Sequence, residues 1–248
     1  MYWLALLVLF LLSLPLLGRY TFWLPSRPRH WPRLIMLHQV SPDAPASGMN
    51  TPPDCFEALL QLLQRQGYRF LTVSELADAQ PLAARHVALT FDDGFADNYH
   101  HAFPLLQRYG AKATIYLATD IAGIDRLTPA QIAEMRDSGL VEFGAHTVHH
   151  VNLLNQDDAA ARDEIVRSRE QVIALAGSCR SFAYPYGRFD ARHEAMVRAA
   201  GYDSAVTTRK RIARLSPETR WLIPRISSHG EMNALQWRIA LAKGRWRL

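Results

Sequence analysis

The 248-residue sequence is poor in cysteine, with only Cys55 and Cys179. Two cysteines exclude a disulfide framework and a cysteine-rich zinc module, although one bridge between them remains possible. The sequence also lacks internal repeats, which argues against a solenoid. No phosphate-cradling G-x-G-x-x-G or Walker sequence follows any apolar run, which argues against nucleotide chemistry. What remains is ordinary globular composition at a length that predicts one large domain.

Carboxylates are missing from both ends of the chain. Residues 1–42 carry four arginines and residues 232–248 carry three arginines and a lysine, which leaves residues 43–231 with a net charge of −3. A mildly acidic body without a basic, aromatic-rich stripe excludes nucleic acid as an expected partner. Basic ends rich in Trp and Leu instead suit an anionic membrane surface.

The first 24 residues form the longest apolar stretch. Met1–Leu17 contains one polar residue, Ser13, if Tyr is counted as apolar, and Tyr20–Leu24 continues the stretch after Arg19. A spanning helix needs about 20 apolar residues, so we predict a single-pass anchor over 1–24 in which Arg19 reaches the headgroups. A cleaved signal peptide and a buried helix are the alternatives. The arginines that follow the stretch favour the cytoplasmic side of the inner membrane for the body, with the opposite side left open.

The rest of the chain divides into three parts. Three prolines mark residues 25–33 as a stiff linker, and residues 34–230 have the pattern of a catalytic domain. Residues 231–248 interleave Trp and Leu with basic residues, which predicts a basic amphipathic segment lying on lipid or, alternatively, a last helix that packs on the core.

Short apolar runs alternate with helical patterns throughout the body. The predicted strands are Leu34–Leu37, Val87–Phe91, Ala113–Ala118, Val141–Ala145, Ser181–Tyr184 and Ser204–Thr207. The predicted helices are Phe56–Gln66, Thr128–Ser138, Asp157–Ala176 and Asp190–Ala200. Such alternation predicts parallel strands in a barrel or an open sheet, with reactive residues beyond the carboxyl ends of the strands.

Two polar groups directly follow predicted strands. Asp92 and Asp93 lie in a T-F-D-D-G sequence, where one carboxylate can hold a metal while the other faces the reacting atom; a plain Asp-Gly turn is the alternative. His146 and His150 lie four residues apart, a spacing that puts two imidazoles on one helical face and suits a metal such as zinc. His149 is a rival ligand, and surface histidines are the alternative.

A third group, P-Y-G at residues 185–187, forms a predicted tight turn that can present backbone N–H groups, or serves structure alone. Taken together, one Asp and two His leave room for water at a metal. That is the open arrangement of a hydrolytic site.

These motifs, in this order, resemble the polysaccharide deacetylase (NodB-homology) family, the carbohydrate esterase family 4 type. The resemblance rests on T-F-D-D-G at 90–94, H-T-x-x-H at 146–150 and P-Y-G at 185–187, and it covers roughly residues 34–226. It implies an α/β fold, a deformed (β/α) barrel, and a metal-dependent N-deacetylase that acts on acetylated amino sugars.

The resemblance also implies roles for individual residues. Asp92 would be the general base, and the backbone N–H of Tyr186 would help stabilise the oxyanion. A divalent metal ion, zinc first and other transition metals as alternatives, would be held by Asp93, His146 and His150. Tyr184 and Pro185 would contact substrate.

The sequence departs from the family pattern at two places. The family often has an Arg two residues before the Pro of the third motif, where this chain has Ala183. The late Leu-His that supplies the general acid is also missing. An early Leu37-His38-Gln39 resembles the branch of biofilm-glycan deacetylases whose acid comes from near the N-terminus, so we predict His38 as the acid, with His229 as the fallback.

The predicted partner is an N-acetylated amino sugar, either polymeric or lipid-linked, and membrane lipid through the N-terminal helix. A deformylase or an O-acetyl esterase on the same site is the first alternative, because metal-activated water attacks any small acyl group. A catalytically inactive carbohydrate-binding module is the second, because of the two departures.

Overall fold

The predicted strands form one parallel sheet. In the computed structural model, which describes residues 2–3, 21, 23–79, 82 and 84–247, all six agree with the prediction to within one residue at each end. They are β1 (Arg33–Leu37), β3 (His86–Phe91), β4 (Ala113–Leu117), β5 (Val141–Ala145), β6 (Ser181–Ala183) and β7 (Ser204–Val206). Two strands of only two residues, β2 (Arg69–Phe70) and β8 (Ile226–Ser227), were not predicted, because so short a run has no readable period.

The sheet is curved into a barrel that an irregular segment closes. The strand order is β7-β6-β5-β4-β3-β1-β8, and β2 pairs beside β3. Just before β8, the N–H of Ile223 donates to Ala205 O, and the N–H of Thr207 donates to Ile223 O. The segment that leads into β8 therefore joins the two ends of the sheet, as a deformed barrel requires.

Helices cover the outside of the barrel. They are α1 (Pro53–Arg65), α2 (Val73–Asp78), α3 (Phe103–Tyr109), α4 (Pro129–Asp137), α5 (Asp158–Ala176), α6 (Ala191–Ala199) and α7 (Ala234–Lys243), and a π-helical turn over Asn98–Ala102 precedes α3. The predicted Thr-Pro start of α4 is confirmed: Thr128 accepts from the Gln131 N–H in a capping box. Helix α2 was not predicted; Thr72 and Glu75 cap it in the same way.

The described part of the N-terminal segment contacts the C-terminal segment, because the N–H of Thr21 donates to Trp246 O at 3.0 Å. Helix α7 places Trp237 and Leu241 in the core, so these apolar side chains are used for packing.

The predicted anchor over 1–24 lies outside the described residues except for residues 2–3, 21 and 23–24. Within the described part of the chain, no helix combines the length and the hydropathy needed to cross a bilayer. Cys55 and Cys179 are both free thiols, so the possible bridge between them is absent.

Candidate active site

The alternation of side chains along the strands brings two predicted residues to the inside of the barrel. Leu34 of β1 and Ala88 of β3 belong to the small apolar cluster that fills the barrel. His38 and Asp92 each follow these residues by an even number of positions, so they continue the inward-facing rows past the strand ends. The strand pattern therefore places His38 and Asp92 close together above the barrel core.

The predicted metal ligands converge. The Nε2 atoms of His146 and His150 lie 3.6 and 3.4 Å from Asp93 Oδ1. One ligand atom from each of the three residues lies within 4.8 Å of the other two. Within the described residues, this is the one group of three or more His, Cys, Asp or Glu side chains with such spacing.

The surroundings of these three side chains fit a cation. The Nδ1 of His146 lies 2.7 Å from Ala183 O, and since a carbonyl only accepts, Nδ1 carries the proton and the Nε2 lone pair faces Asp93. Asp93 Oδ1 is buried without a hydrogen-bond partner among the described residues. Burial, together with the charge of Asp92, raises the pKa of Asp93 to about 7. Burial lowers the pKa of His146 to about 3, so its imidazole is neutral and free to bind a metal.

The backbone around the ligands is strained. Four non-glycine residues of the described chain have positive φ: Asp93 (75°), Thr147 (62°), His150 (55°) and Tyr186 (57°). Such conformations persist only where the surroundings impose them. The buried Glu164 of α5 does so for the histidine loop, because its Oε2 accepts from the N–H groups of Val148 (2.8 Å) and His149 (3.1 Å). Glu164 thus positions the loop that carries His150.

The predicted base, Asp92, is paired with an arginine that the sequence did not reveal. Arg225 is fully buried, and its Nη1 and Nη2 donate to Asp92 Oδ1 and Oδ2 at 2.6 and 2.7 Å. Arg225 Nη1 also donates to Thr90 Oγ1 and Nε donates to Thr207 O, at 3.0 and 3.1 Å. Burial opposes ionisation of Asp92, but the charge and the hydrogen bonds of Arg225 lower its pKa well below the usual range. Asp92 is therefore ionised at neutral pH.

Arg225 accounts for the first departure from the family pattern. Ala183 cannot contact Asp92, and the guanidinium comes instead from the segment that closes the barrel, 133 positions from Asp92. The sequence contained a signal: Arg225 is the sole charged residue in the run Leu222–Ile226. Glu164 had a similar signal, since it shares a helix face with the buried residues Ala161 and Ile165.

His38 lies beside the base. Its Nε2 is 3.9 Å from Asp92 Oδ2, while His146 Nε2 is 4.0 Å from the same oxygen on the other side. The buried Asn98 holds the His38 backbone, because its Nδ2 donates to His38 O at 2.8 Å. Burial outweighs the attraction of Asp92 and lowers the pKa of His38, so a protonated His38 would give up its proton readily.

The P-Y-G turn lies against His150, one of the candidate metal ligands. The exposed ring of Tyr186 has its hydroxyl 3.1 Å from His150 Nδ1. Gly187 is required at φ 64°, because a Cβ there would come within 2.0 Å of Thr208 Oγ1. Tyr184 and Pro185 need correction as substrate contacts: Tyr184 is fully buried and stacks on Phe189, and Pro185 is buried as well.

The two rival histidines lie elsewhere. His149 Nδ1 is 2.5 Å from Glu164 Oε1, so this ring belongs to the loop support rather than to the metal ligands. His229 packs edge-on against Trp246, with ring centroids 6.4 Å apart, and is not part of the cluster around Asp92.

A wide cleft opens beside His150 and Tyr186. It has a volume of about 830 Å³ and is lined further by His149, Val151, Asn152, Asn155, Gln156 and Arg188. Its amide and guanidinium groups can bond to hydroxyl and acetamido groups of a sugar.

Comparisons with known proteins agree with this geometry. A family model described as polysaccharide deacetylase matches residues 79–205. YxkH of Bacillus subtilis (strain 168), assigned to the polysaccharide deacetylases, is 30% identical over 182 residues, which cover 71% of this chain and 63% of YxkH. A poly-β-1,6-N-acetyl-D-glucosamine N-deacetylase of Staphylococcus aureus (strain MSSA476) is 26% identical over 164 residues, or 59% of this chain and 57% of that enzyme. The chain thus spans less than two thirds of either relative.

Solved structures share the fold. The deacetylase PplD of Streptococcus pyogenes, in complex with acetate, has a TM-score of 0.75 at 27% identity, covering 85% of this chain and 98% of PplD. IcaB of Ammonifex degensii has a TM-score of 0.74 at 24% identity, covering 86% of this chain and 96% of IcaB.

Proposed function

The chain belongs to the polysaccharide deacetylase family, and from this premise we propose that it is a metal-dependent hydrolase that removes N-acetyl groups from an amino-sugar polymer. One observation carries the proposal: Asp93, His146 and His150 converge, while a second carboxylate, Asp92, stays outside the ligand set and ionised. A structural metal site would have no use for that second carboxylate.

The metal would be held by Asp93 Oδ1 and the Nε2 atoms of the two histidines. When bound there, a divalent cation such as zinc supplies Lewis acidity and lowers the pKa of water toward neutrality. Three protein ligands leave positions open for water and substrate.

Proton transfers are assigned to the chain's own residues. Asp92 accepts a proton from the attacking water, and Arg225 keeps its carboxylate oriented. The N–H of Tyr186 faces the developing oxyanion, a contribution of about 3–4 kcal/mol per donor. His38 donates a proton to the departing amine nitrogen, and the products are acetate and a free amino sugar.

The substrate class is supported by the cleft and by one relative. The polar cleft next to His150 is large enough for sugar residues on either side of the scissile acetamide. The S. aureus relative is named for poly-β-1,6-N-acetyl-D-glucosamine. We propose a polymer of N-acetylglucosamine as the substrate and residues 1–24 as the membrane anchor.

The test is acetate release by the full chain from N-acetylglucosamine oligomers of defined length. Chelation should stop release and added Zn²⁺ should restore it. The same assay with N-formylated oligomers and with O-acetyl esters separates deacetylase from deformylase and esterase. Folded, metal-loaded protein that releases acetate from none of these oligomers would contradict the proposal and leave a binding module.

A further inference from the structure

The basic segments at the two ends of the sequence come together on one side of the barrel. The N–H of Thr21 donates to Trp246 O at 3.0 Å, and that of Arg27 donates to Ala242 O at 2.8 Å. Arg33 Nε donates to Leu241 O at 2.8 Å. The linker thus runs along the end of α7, and the two positively charged ends form one surface.

Two cavities in this surface are lined by cations. The larger, about 240 Å³, has five arginines in its lining: Arg27, Arg29, Arg33, Arg85 and Arg238. The smaller, about 70 Å³, is lined by Lys210, His229, Arg245 and Arg247 among others. No carboxylate side chain lines either cavity among the described residues, and none of these arginines forms a salt bridge within that part of the chain. We call these two cavities and their cations the basic face.

The sequence places an apolar segment directly beside the basic face. Three residues lie between the end of the apolar run at Leu17 and Thr21, and the four steps from Leu17 to Thr21 span at most about 14 Å. The ring of Trp23 is 54% exposed, and exposed Trp is favoured at the headgroup level of a bilayer. A run of 17 nearly uncharged residues next to unpaired arginines suits lipid better than nucleic acid.

We propose that the basic face binds the headgroups of anionic phospholipids and that this contact turns the catalytic cleft away from the bilayer. The basic face lies next to β1 and β8. In the ring of strands, β5 is the farthest from both, three steps in either direction. The cleft follows β5 at the carboxyl ends of the strands, across the ring from the basic face. Arg33 and Arg85 of the larger cavity mark the opposite ends of β1 and β3, whereas Ser227 and His229 of the smaller cavity lie at the carboxyl end of β8.

This orientation deepens the proposed function, on which it rests, because it gives a physical reason to choose between the two substrate classes that the sequence left open, a polymer and a lipid-linked sugar. A sugar linked to a membrane lipid lies at the headgroups, on the side of the basic face. A cleft that opens on the far side reaches chains that extend into water. The orientation therefore assigns a polymer, and not a lipid-linked sugar, as the substrate.

The test uses the full chain with two kinds of vesicle, phosphatidylcholine alone and phosphatidylcholine with phosphatidylglycerol. The triple variant Arg29→Gln/Arg238→Gln/Arg245→Gln removes one exposed cation from each segment of the basic face. Each arginine near an anionic surface contributes roughly a fivefold preference for the anionic vesicles. Loss of three should therefore lower the ratio of binding to anionic over neutral vesicles roughly 100-fold. The matched control Arg162→Gln/Arg167→Gln/Arg214→Gln has the same change in charge and should keep the ratio. An equal loss in the control would overturn the proposal.

Hydrogen exchange on the same samples reports orientation. Amides in residues 25–33 and 234–247 should be slowed only by the anionic vesicles, and amides in 149–156 should be unaffected. Slowing at 149–156, or equal slowing by inorganic phosphate or by a DNA duplex, would refute membrane docking. Acetate release from a soluble oligomer should not differ between wild type and triple variant, so a failure of the proposed function shows up separately, as no release from either.

Discussion

Two buried arginines, whose guanidinium groups lie at opposite ends of the barrel, show that the same type of side chain can serve two different purposes. Arg225 is 0% exposed and Arg33 is 2% exposed. Arg225 donates to both oxygens of Asp92, whereas Arg33 donates to main-chain carbonyls of Leu241, Pro28, Trp31 and Arg27. Carbonyls satisfy the N–H groups but leave the positive charge uncompensated.

The difference sets the electrostatics of each end. At the end that carries the candidate site, the charge of Arg225 is cancelled by Asp92, so the pair is neutral beside the candidate metal ligands. At the other end, Arg33 adds its charge to that of Arg85 and the linker, and that end stays positive. Burial first, and the charge of Arg85 as well, lower the pKa of Arg33. An anion at this end would relieve that repulsion.

The largest expected effect comes from removing the carboxylate of the catalytic pair. We expect Asp92→Asn to lower turnover about 10³-fold or more, because the water then has no base. Metal content, measured by elemental analysis, should stay at the wild-type level, since Asp92 is not among the three ligands. The control Asp203→Asn removes an exposed carboxylate paired with Arg180 and should keep full activity. Normal turnover in Asp92→Asn would refute the base assignment.

Removing the cation of the same pair tests stability. We expect Arg225→Met to lower the free energy of unfolding by about 3–5 kcal/mol, because it leaves the charge of Asp92 buried and unpaired. The double variant Arg225→Met/Asp92→Asn should regain most of that loss while staying inactive. Arg33→Met removes no charge pair, so its loss should be smaller, about 1–3 kcal/mol. Denaturant unfolding measures all three, and equal losses for both arginines would show that the pair with Asp92 does not matter.

The sequence predicted the residues of the candidate metal site better than the role of either arginine. Strand positions follow from local signals, and the T-F-D-D-G and H-T-x-x-H motifs single out the candidate ligands Asp93, His146 and His150. The two histidines lie in a loop, however, and not on the helical face that their spacing predicted. His38 was predicted from the family resemblance. Arg225 depends on the closure of the barrel, which no local pattern encodes, since β8 has two residues and the closing segment is irregular. The juxtaposition of the linker with α7 is equally nonlocal. Tyr184 was assigned to the substrate from its place next to a motif, but it lies in a continuous run of buried residues, 181–185.

Glu164 offers a finer test at the catalytic end. Its carboxylate accepts from two backbone N–H groups in the strained loop that carries His150. We expect Glu164→Gln to weaken Zn²⁺ affinity by roughly 10- to 100-fold, as loss of such outer support commonly does, without abolishing folding. Competition with a chromogenic chelator measures the affinity. The control Glu170→Gln changes an exposed carboxylate on the same helix. A similar loss of Zn²⁺ affinity in that variant would mean that the loss of negative charge, and not the loss of loop support, weakens binding.

The smallest expected effect concerns the position of His38. Asn98 is fully buried and bonds to His38 O, while the neighbouring Asp97 accepts from the Val40 N–H at 3.0 Å. We expect Asn98→Ala to lower kcat roughly fivefold, since one such bond contributes about 1 kcal/mol to holding the imidazole beside the leaving nitrogen. Metal content and KM should not change. Asn50→Ala is the matched control, because Asn50 is a buried amide that bonds to Ser41 and Ala44 and does not touch His38. A variant at Asn98 that loses stability yet keeps the wild-type kcat would mean that Asn98 supports the fold alone, and it would weaken the assignment of His38 as the acid.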